Sequence, residues 1–506
     1  MAMDAAISAM DPMSTSSGLI LTPCVSSLKK VRSPALEAGI GAFFLLLISG
    51  GRSPRFVLKR SGFRRQAYNR HRPSAPAMPG YRSEFQSVLR KVRAHEKYFS
   101  ESLPLVASEN LTSRPVREVL SSDLGHRYAE GWPGERVYAG CKYIDQIELQ
   151  ALELGKKLFK AEFMDVRPVS GVNANLAVYS ALTNPGDMMM ALSIPNGGHI
   201  SHGKKDFGGS AGLVHGLELS YFAFDREEMN IDVDATKKRI AALPSLKLAM
   251  FGCSLFLFPH PVRELEGAIR EKGGAICYDA AHVAGLIAGG QFQDPLREGA
   301  QVMTFSTHKV LFGPQGGAIA ARAELGELLK KGVFPGTSSN HHLHSVAAKA
   351  LVFAEYLEFG RKYARDVVAN AQTLAGRLAD LGEKVLGEKN GYTKSHQVAL
   401  DITRYSDGAV IEKLLEDQGI ICNREPIPGD LAAGRHYTHP GGIRLGVAEL
   451  TRLGMKKGEM KEVAELVHLG MAGGKQAEVK ARVKELRKDF QTLEYTFGRS
   501  PAYFFR

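Results

Sequence analysis

At 506 residues the chain is too long for one simple core, so two domains plus extensions are expected. Its 44% apolar and 23% charged residues are ordinary for a soluble globular enzyme. The net charge of +12 would suit a nucleic-acid binder, but residues 1–77 alone hold eleven Lys/Arg against three Asp/Glu, or +8. The rest carries close to +4, so neither nucleic acid nor membrane is expected as a partner. Five scattered cysteines (Cys24, Cys141, Cys253, Cys277, Cys422) contain no CxxC pair. They read as free thiols in a reducing compartment, and no metal is expected.

Residues 1–77 are rich in Ser, Pro and Arg and differ from the remainder of the chain. Their apolar run from Ala38 to Ile48 is shorter than the about 20 residues of a membrane span. It comes after Lys29-Lys30-Val31-Arg32, which gives a weak signal-peptide flavour; an Arg-rich organelle-targeting peptide is a second reading. The favoured third reading is an extension ahead of a start at Met78, leaving a cytoplasmic enzyme. From there the chain divides into an arm helix (78–100), a large domain (101–345) and a small C-terminal domain (346–506).

Ser83 to Phe99 is an amphipathic helix suited to lie across a partner subunit. Gln146 to Phe163 has apolar residues at helical spacing, and Val169-Ser170-Gly171-Val172-Asn173 opens a helix to Leu182, before Asn184-Pro185-Gly186. A Ser-Gly turn feeding a helix start presents N–H groups and a positive dipole end, which suits a phosphate, though a plain N-cap is the commoner case. Ala275–Tyr278, Val302–Phe305 and Gly317–Ala321 are strand-like and alternate with helices, as in a mostly parallel, doubly wound α/β sheet. A helix around Ser345 to Tyr363 leads into the small domain. That domain has strand candidates at Val398–Ile402, Ile420–Cys422 and Ile443–Leu445, and helices at Ala409–Asp417, Lys456–Leu469 and Ala477–Phe490.

Asp279, His282 and Lys309 come after two of these strands, so the layout aims an acid, an imidazole and an amine at the carboxyl edge of one sheet. A lysine that forms a Schiff base and an aspartate that holds a pyridinium nitrogen are what pyridoxal phosphate chemistry requires. By spacing alone, a capping aspartate and a solvated lysine are commoner.

Six blocks in order carry more. Leu105-Val106-Ala107-Ser108-Glu109-Asn110, Tyr128-Ala129-Glu130-Gly131-Trp132-Pro133-Gly134 and Asn196-Gly197-Gly198-His199 resemble the serine hydroxymethyltransferase family. So do the Asp279 segment, Ser306-Thr307-His308-Lys309 and Gly442-Ile443-Arg444-Leu445-Gly446. The resemblance spans roughly residues 80 to 460. It implies a fold type I pyridoxal-phosphate enzyme with a large and a small α/β domain.

The same resemblance implies roles. Lys309 would bind the cofactor aldehyde, Asp279 its ring nitrogen, and His199 would stack on the ring. His282 would sit near the phenolic oxygen and the substrate. Arg444 would clamp the substrate carboxylate with its planar fork, assisted by Ser108. Glu130 would be the acid/base group, flanked by Tyr128 and Tyr138, which would donate to substrate or cofactor. Ser170, Gly171, Ser306 and His308 would hold the phosphate, and Gly336 would add a backbone donor across the subunit interface. The Glu130 loop would come from the neighbouring subunit, making an obligate homodimer with shared active sites; a tetramer is also open.

The reaction implied is reversible transfer of a hydroxymethyl unit between serine/glycine and a reduced pterin. Val172 and Gln315 depart from the usual serine and arginine of the family, and Thr337–His342 from a glycine-rich loop. These variants, with Cys253–Pro261, resemble the archaeal branch, where the carrier is either tetrahydrofolate or tetrahydromethanopterin. A threonine aldolase or transaldolase of the same fold is the alternative. An idle binding or regulatory paralogue is the alternative of another class, but Lys309, Asp279 and Arg444 are all present.

Overall fold

A computed structural model describes residues 80–505. The apolar stretches of the central sequence form seven strands: β1 (Phe163–Asp165), β2 (Met188–Ala191), β3 (Glu218–Tyr221), β4 (Leu248–Phe251), β5 (Ala275–Asp279), β6 (Val302–Ser306) and β7 (Gly317–Ala321). They lie in one sheet in the order β1-β7-β6-β5-β4-β2-β3. Every pairing is parallel except those of β7, which runs antiparallel to both β1 and β6. Alternate residues enter two separate apolar clusters. Ile276, Tyr278, Met303 and Phe305 belong to one; Cys277 and Val302 belong to the other. Both faces are therefore covered, and the strands read as continuous apolar runs.

Four helices matter for the site. They are α1 (Arg82–Ser100), α2 (Lys142–Phe159), α3 (Gly171–Leu182) and α4 (Leu343–Asp380). The helix expected over 146–163 starts earlier and stops at Phe159, because Lys160 turns left-handed at φ 51° and the chain reverses into β1. α4 is twice as long as the expected 345–363 stretch: buried positions recur down to Leu378, against α2 and the helix Lys457–Ala472.

A second, antiparallel sheet holds β8 (Lys384–Val385), β9 (Gln397–Asp401), β10 (Asn423–Glu425) and β11 (Gly442–Gly446) in the order β8-β9-β11-β10. The expected strand at Ile420–Cys422 forms at Ile420–Ile421 but pairs in parallel with Leu103–Pro104, which fixes the segment leading to Ser108. The other expected helices are Gly408–Asp417 and Gln476–Arg487. α1 has no buried residue; Phe85 and Val88 stay exposed. Among the described residues no helix is long and apolar enough to cross a membrane, and Cys141, Cys253, Cys277 and Cys422 are free and buried. The expectations for residues 1–77 lie outside the described residues.

Candidate active site

Asp279 ends β5 with its carboxylate buried. Oδ2 accepts hydrogen bonds from Asn175 Nδ2 (2.8 Å) and His202 Nε2 (3.0 Å), and Oδ1 from the Ala281 N–H (2.9 Å). Asn175 is itself oriented by the Thr304 hydroxyl, which donates to Oδ1 at 2.6 Å. Burial alone would raise the pKa of Asp279. The hydrogen bond and charge of His202, with His199 and Asn175, outweigh it and hold the carboxyl well below the usual range.

Lys309 lies three residues beyond β6, buried, and Nζ has no hydrogen-bond partner among the described residues. Desolvation lowers its pKa to about 8 against the pull of Asp279, with Arg444 adding to the depression. Its carbonyl accepts from Asn110 Nδ2 and from the Phe312 N–H, each at 3.0 Å. Two imidazoles stand close by, both kept neutral chiefly by burial. His199 is lowered to about 4, with His202 adding to the effect, and its Nδ1 accepts from the Ser201 N–H at 3.1 Å. His282 is pushed well below its ordinary value, with Lys309 and Arg444 repelling a proton, and its Nδ1 accepts from Gln397 Nε2 at 2.9 Å.

Arg444 is the central residue of β11 and is buried. Nη1 donates to Ser254 O (2.6 Å), Nε donates to Asn423 Oδ1 (3.2 Å), and Glu425 lies 3.4 Å from Nη1. Nη2 has no partner among the described residues. Ser108 comes after Ala107, whose Cα would lie 2.3 Å from a Cβ at Gly446, so this segment runs directly against the Arg444 strand. His396 Nε2 fixes the Ala107 carbonyl at 2.9 Å.

Ser170 caps α3, its Oγ accepting from the Asn173 N–H at 3.1 Å. A Cβ at Gly171 would sit 2.5 Å from Ser306 Oγ, so any larger residue would displace that hydroxyl from the start of the helix. The Gly316 N–H reaches His308 Nδ1 at 3.4 Å, and burial, helped by Lys309, lowers that imidazole to about 4. Ser170, Gly171, Ser306 and His308 thus converge at a helix N-terminus, where backbone dipoles favour an anion.

Four expected site residues, all assigned to a subunit interface, stand apart from this cluster within one chain. The Gly336 N–H, expected to be a free donor, is spent on Lys331 O (3.0 Å), closing the helix Gly326–Val333. Tyr128 and Tyr138 are exposed and pack ring to ring at 5.0 Å. Glu130 accepts from the Ser339 hydroxyl, and the Ala129 N–H donates to Asn340 Oδ1 at 2.9 Å. Among the described residues the Glu130 and Ala129 contacts reach Ser339 and Asn340, and no hydrogen bond joins Tyr128, Glu130 or Tyr138 to Lys309 within one chain.

Comparison with known proteins matches this layout. The pattern described as serine hydroxymethyltransferase covers residues 83–467. The serine hydroxymethyltransferase of Cenarchaeum symbiosum (strain A) is 60% identical over 428 residues, 83% of this chain and 97% of that protein. That of Nitrosopumilus maritimus (strain SCM1) is 56% identical over 421 residues, 82% and 96%. That of Archaeoglobus fulgidus is 50% identical over 419 residues, 83% and 94%.

The chain belongs to the serine hydroxymethyltransferase family.

Serine hydroxymethyltransferases depend on pyridoxal phosphate. The residues fit that group: an unpartnered buried amine at Lys309, a buried anionic carboxylate at Asp279, and a cradle at Gly171 that any Cβ would fill. Sequence reasoning missed His202, Asn175 and Asn110, which hold Asp279 and the Lys309 backbone. Asn175 and Asn110 lay inside segments already singled out, and the His-x-x-His spacing of His199 and His202 was the available signal. Donor atoms of His199, His202 and Asp279 lie within 4.8 Å of one another, close enough for a metal. Two of the three bond directly to each other at 3.0 Å, which makes a hydrogen-bonded pair and leaves no cage.

Proposed function

We propose that the cluster of Lys309, Asp279 and Arg444 carries the family's reaction, reversible transfer of a hydroxymethyl unit between serine/glycine and a reduced pterin. The observation that carries this reading is a depressed Lys309 amine near an anionic Asp279 and an Arg444 fork, the amine and Nη2 having no partner among the described residues. Bound pyridoxal phosphate supplies an electron-withdrawing ring for negative charge at the amino-acid α-carbon. Lys309 would offer a neutral amine to the cofactor aldehyde, and Asp279 would pair with the ring nitrogen. His199 would pack on the ring face as an uncharged imidazole, and His282 would lie on the side of the phenolic oxygen. Arg444 binds the substrate carboxylate through Nη2, with Ser108 assisting. Ser170, Gly171, Ser306 and His308 hold the phosphate.

In the same reading Glu130 moves the proton at the substrate hydroxyl, with Tyr128 and Tyr138 donating beside it, all three from a second subunit. The exposed aromatic rings of that loop, and Phe85, Val88 and Val92 of α1, exposed among the described residues, support a homodimer. We read residues 101–345 as the large domain and 346–506 as the small one, and place the enzyme in the cytoplasm.

The test is a two-carrier assay with the purified protein and L-serine. Glycine should form in step with a one-carbon adduct of tetrahydrofolate or tetrahydromethanopterin. Threonine cleavage indifferent to either carrier, with no such adduct, would replace this reading by the aldolase one.

A further inference from the structure

Lys349 lies in the middle of α4, and its side chain is fully buried. Nζ donates to three backbone carbonyls: Val166 at 2.7 Å, Gly317 at 2.9 Å and Pro168 at 3.2 Å. Two of these belong to the segment leaving β1 toward Ser170–Gly171, and the third opens β7. The packing there is tight. A Cβ at Gly317 would lie 2.2 Å from Ser170 O, and one at Gly316 would lie 2.6 Å from Lys349 Cε.

Among the described residues no carboxylate forms an ion pair with this ammonium. The acids whose charge reaches it, Asp165 and Glu148, are already taken. Asp165 pairs with Arg167 at 2.6 Å, and Glu148 with Arg136 at 2.8 Å and His341 at 2.9 Å. A buried cation held only by carbonyls is costly, and desolvation lowers Lys349 to about 7. An anion bound on the far side of the carbonyl layer would relieve that cost. The groups on that side are the start of α3 and the end of β6.

We infer that Lys349 is a positioning residue of the cofactor-phosphate site: it pins the 166–171 segment to β7 and supplies the buried positive charge that the phosphate dianion balances. The inference rests on the reading of Ser170, Gly171 and Ser306 as the phosphate cradle. Its consequence is specific to the phosphate and leaves the ring and aldehyde contacts alone.

The test compares affinities of the full-length chain, freed of cofactor, for pyridoxal 5′-phosphate and for unphosphorylated pyridoxal. Lys349→Met should cut the preference for the phosphorylated form by about tenfold or more, since a buried charge is weakly screened, while pyridoxal binding changes little. If Lys349→Met does not fold, Lys349→Gln carries the comparison, because it removes the charge while keeping two N–H donors for the three carbonyls. Lys349→Arg should restore most of the preference. An intact preference in the neutral variants would overturn the role of Lys349. Gly171→Ala separates that failure from failure of the cradle. Loss of preference in Gly171→Ala alone keeps the cradle and rejects Lys349; no loss in either rejects both.

Discussion

Burial acts on the two central ionisable groups in opposite balance. At Lys309 desolvation wins and lowers the amine to about 8; at Asp279 the partners win and keep the carboxylate anionic. Lys309 therefore presents a growing neutral fraction as pH rises to about 8. The rate at which the cofactor-free protein captures pyridoxal phosphate should pass its half-maximum near that pH and level above it; a midpoint in the range of a solvated lysine would contradict it. Lys309→Ala should abolish turnover and leave no cofactor absorbance after dialysis. For Asp279 the folded pKa lies below the unfolded one, so the unfolded chain binds more protons in acid. Its contribution to stability is complete above the ordinary carboxylate range and is lost as pH falls through and below it. Asp279→Asn should therefore flatten the acid side of a stability–pH curve measured by denaturant titration. Arg444→Lys should raise the KM for serine by about tenfold, because one ammonium cannot keep the Ser254 and Asn423 contacts and also present an N–H to the carboxylate as Nη2 does. The strand-like runs put Asp279 and Lys309 at one sheet edge in the sequence, but their roles and that of Arg444 were implied by the family resemblance. The His202–Asp279 pair was not legible, since a short 3₁₀ turn at Ile200–His202 brings the two together across 77 positions.

The start of α3 serves fold and site together. Ser170 caps the helix through the Asn173 N–H, so Ser170→Ala should cost about 1 kcal/mol in denaturation of the cofactor-free protein. Ser170→Asp keeps the cap but sets a negative charge at the phosphate position. It should hold that stability yet bind pyridoxal phosphate poorly; equal loss of both would mean the residue is only a cap. β5, β6, β7 and α3 could be read from sequence because their apolar runs and Gly/Ser punctuation are long enough to declare a period. β8 and β10 could not: two or three residues such as Asn423-Arg424-Glu425 are strand only through pairing with β9 or β11. The Ile420–Ile421 strand was visible, but its partner at Leu103–Pro104 is set by chain routing, which local pattern does not encode.

Across the whole molecule, the proposed shared site has a direct test, since among the described residues no hydrogen bond joins Glu130 to Lys309. Mixing inactive Glu130→Gln with inactive Lys309→Ala chains should restore about a quarter of wild-type activity, because half the dimers are mixed and each has one complete site. No recovery would place Glu130 and Lys309 in the same subunit's site. The dimer was suggested by the family resemblance and by the amphipathic pattern of α1, where Phe85, Val88 and Val92 stay exposed among the described residues. The most direct measurement of the central claim is an absorbance spectrum of the purified protein with glycine, before and after adding tetrahydrofolate or tetrahydromethanopterin. A bound-cofactor band that gains a long-wavelength peak with glycine and one of the two pterins is the predicted result. A protein with no chromophore even after pyridoxal phosphate is supplied, or a band blind to glycine and both pterins, would contradict it.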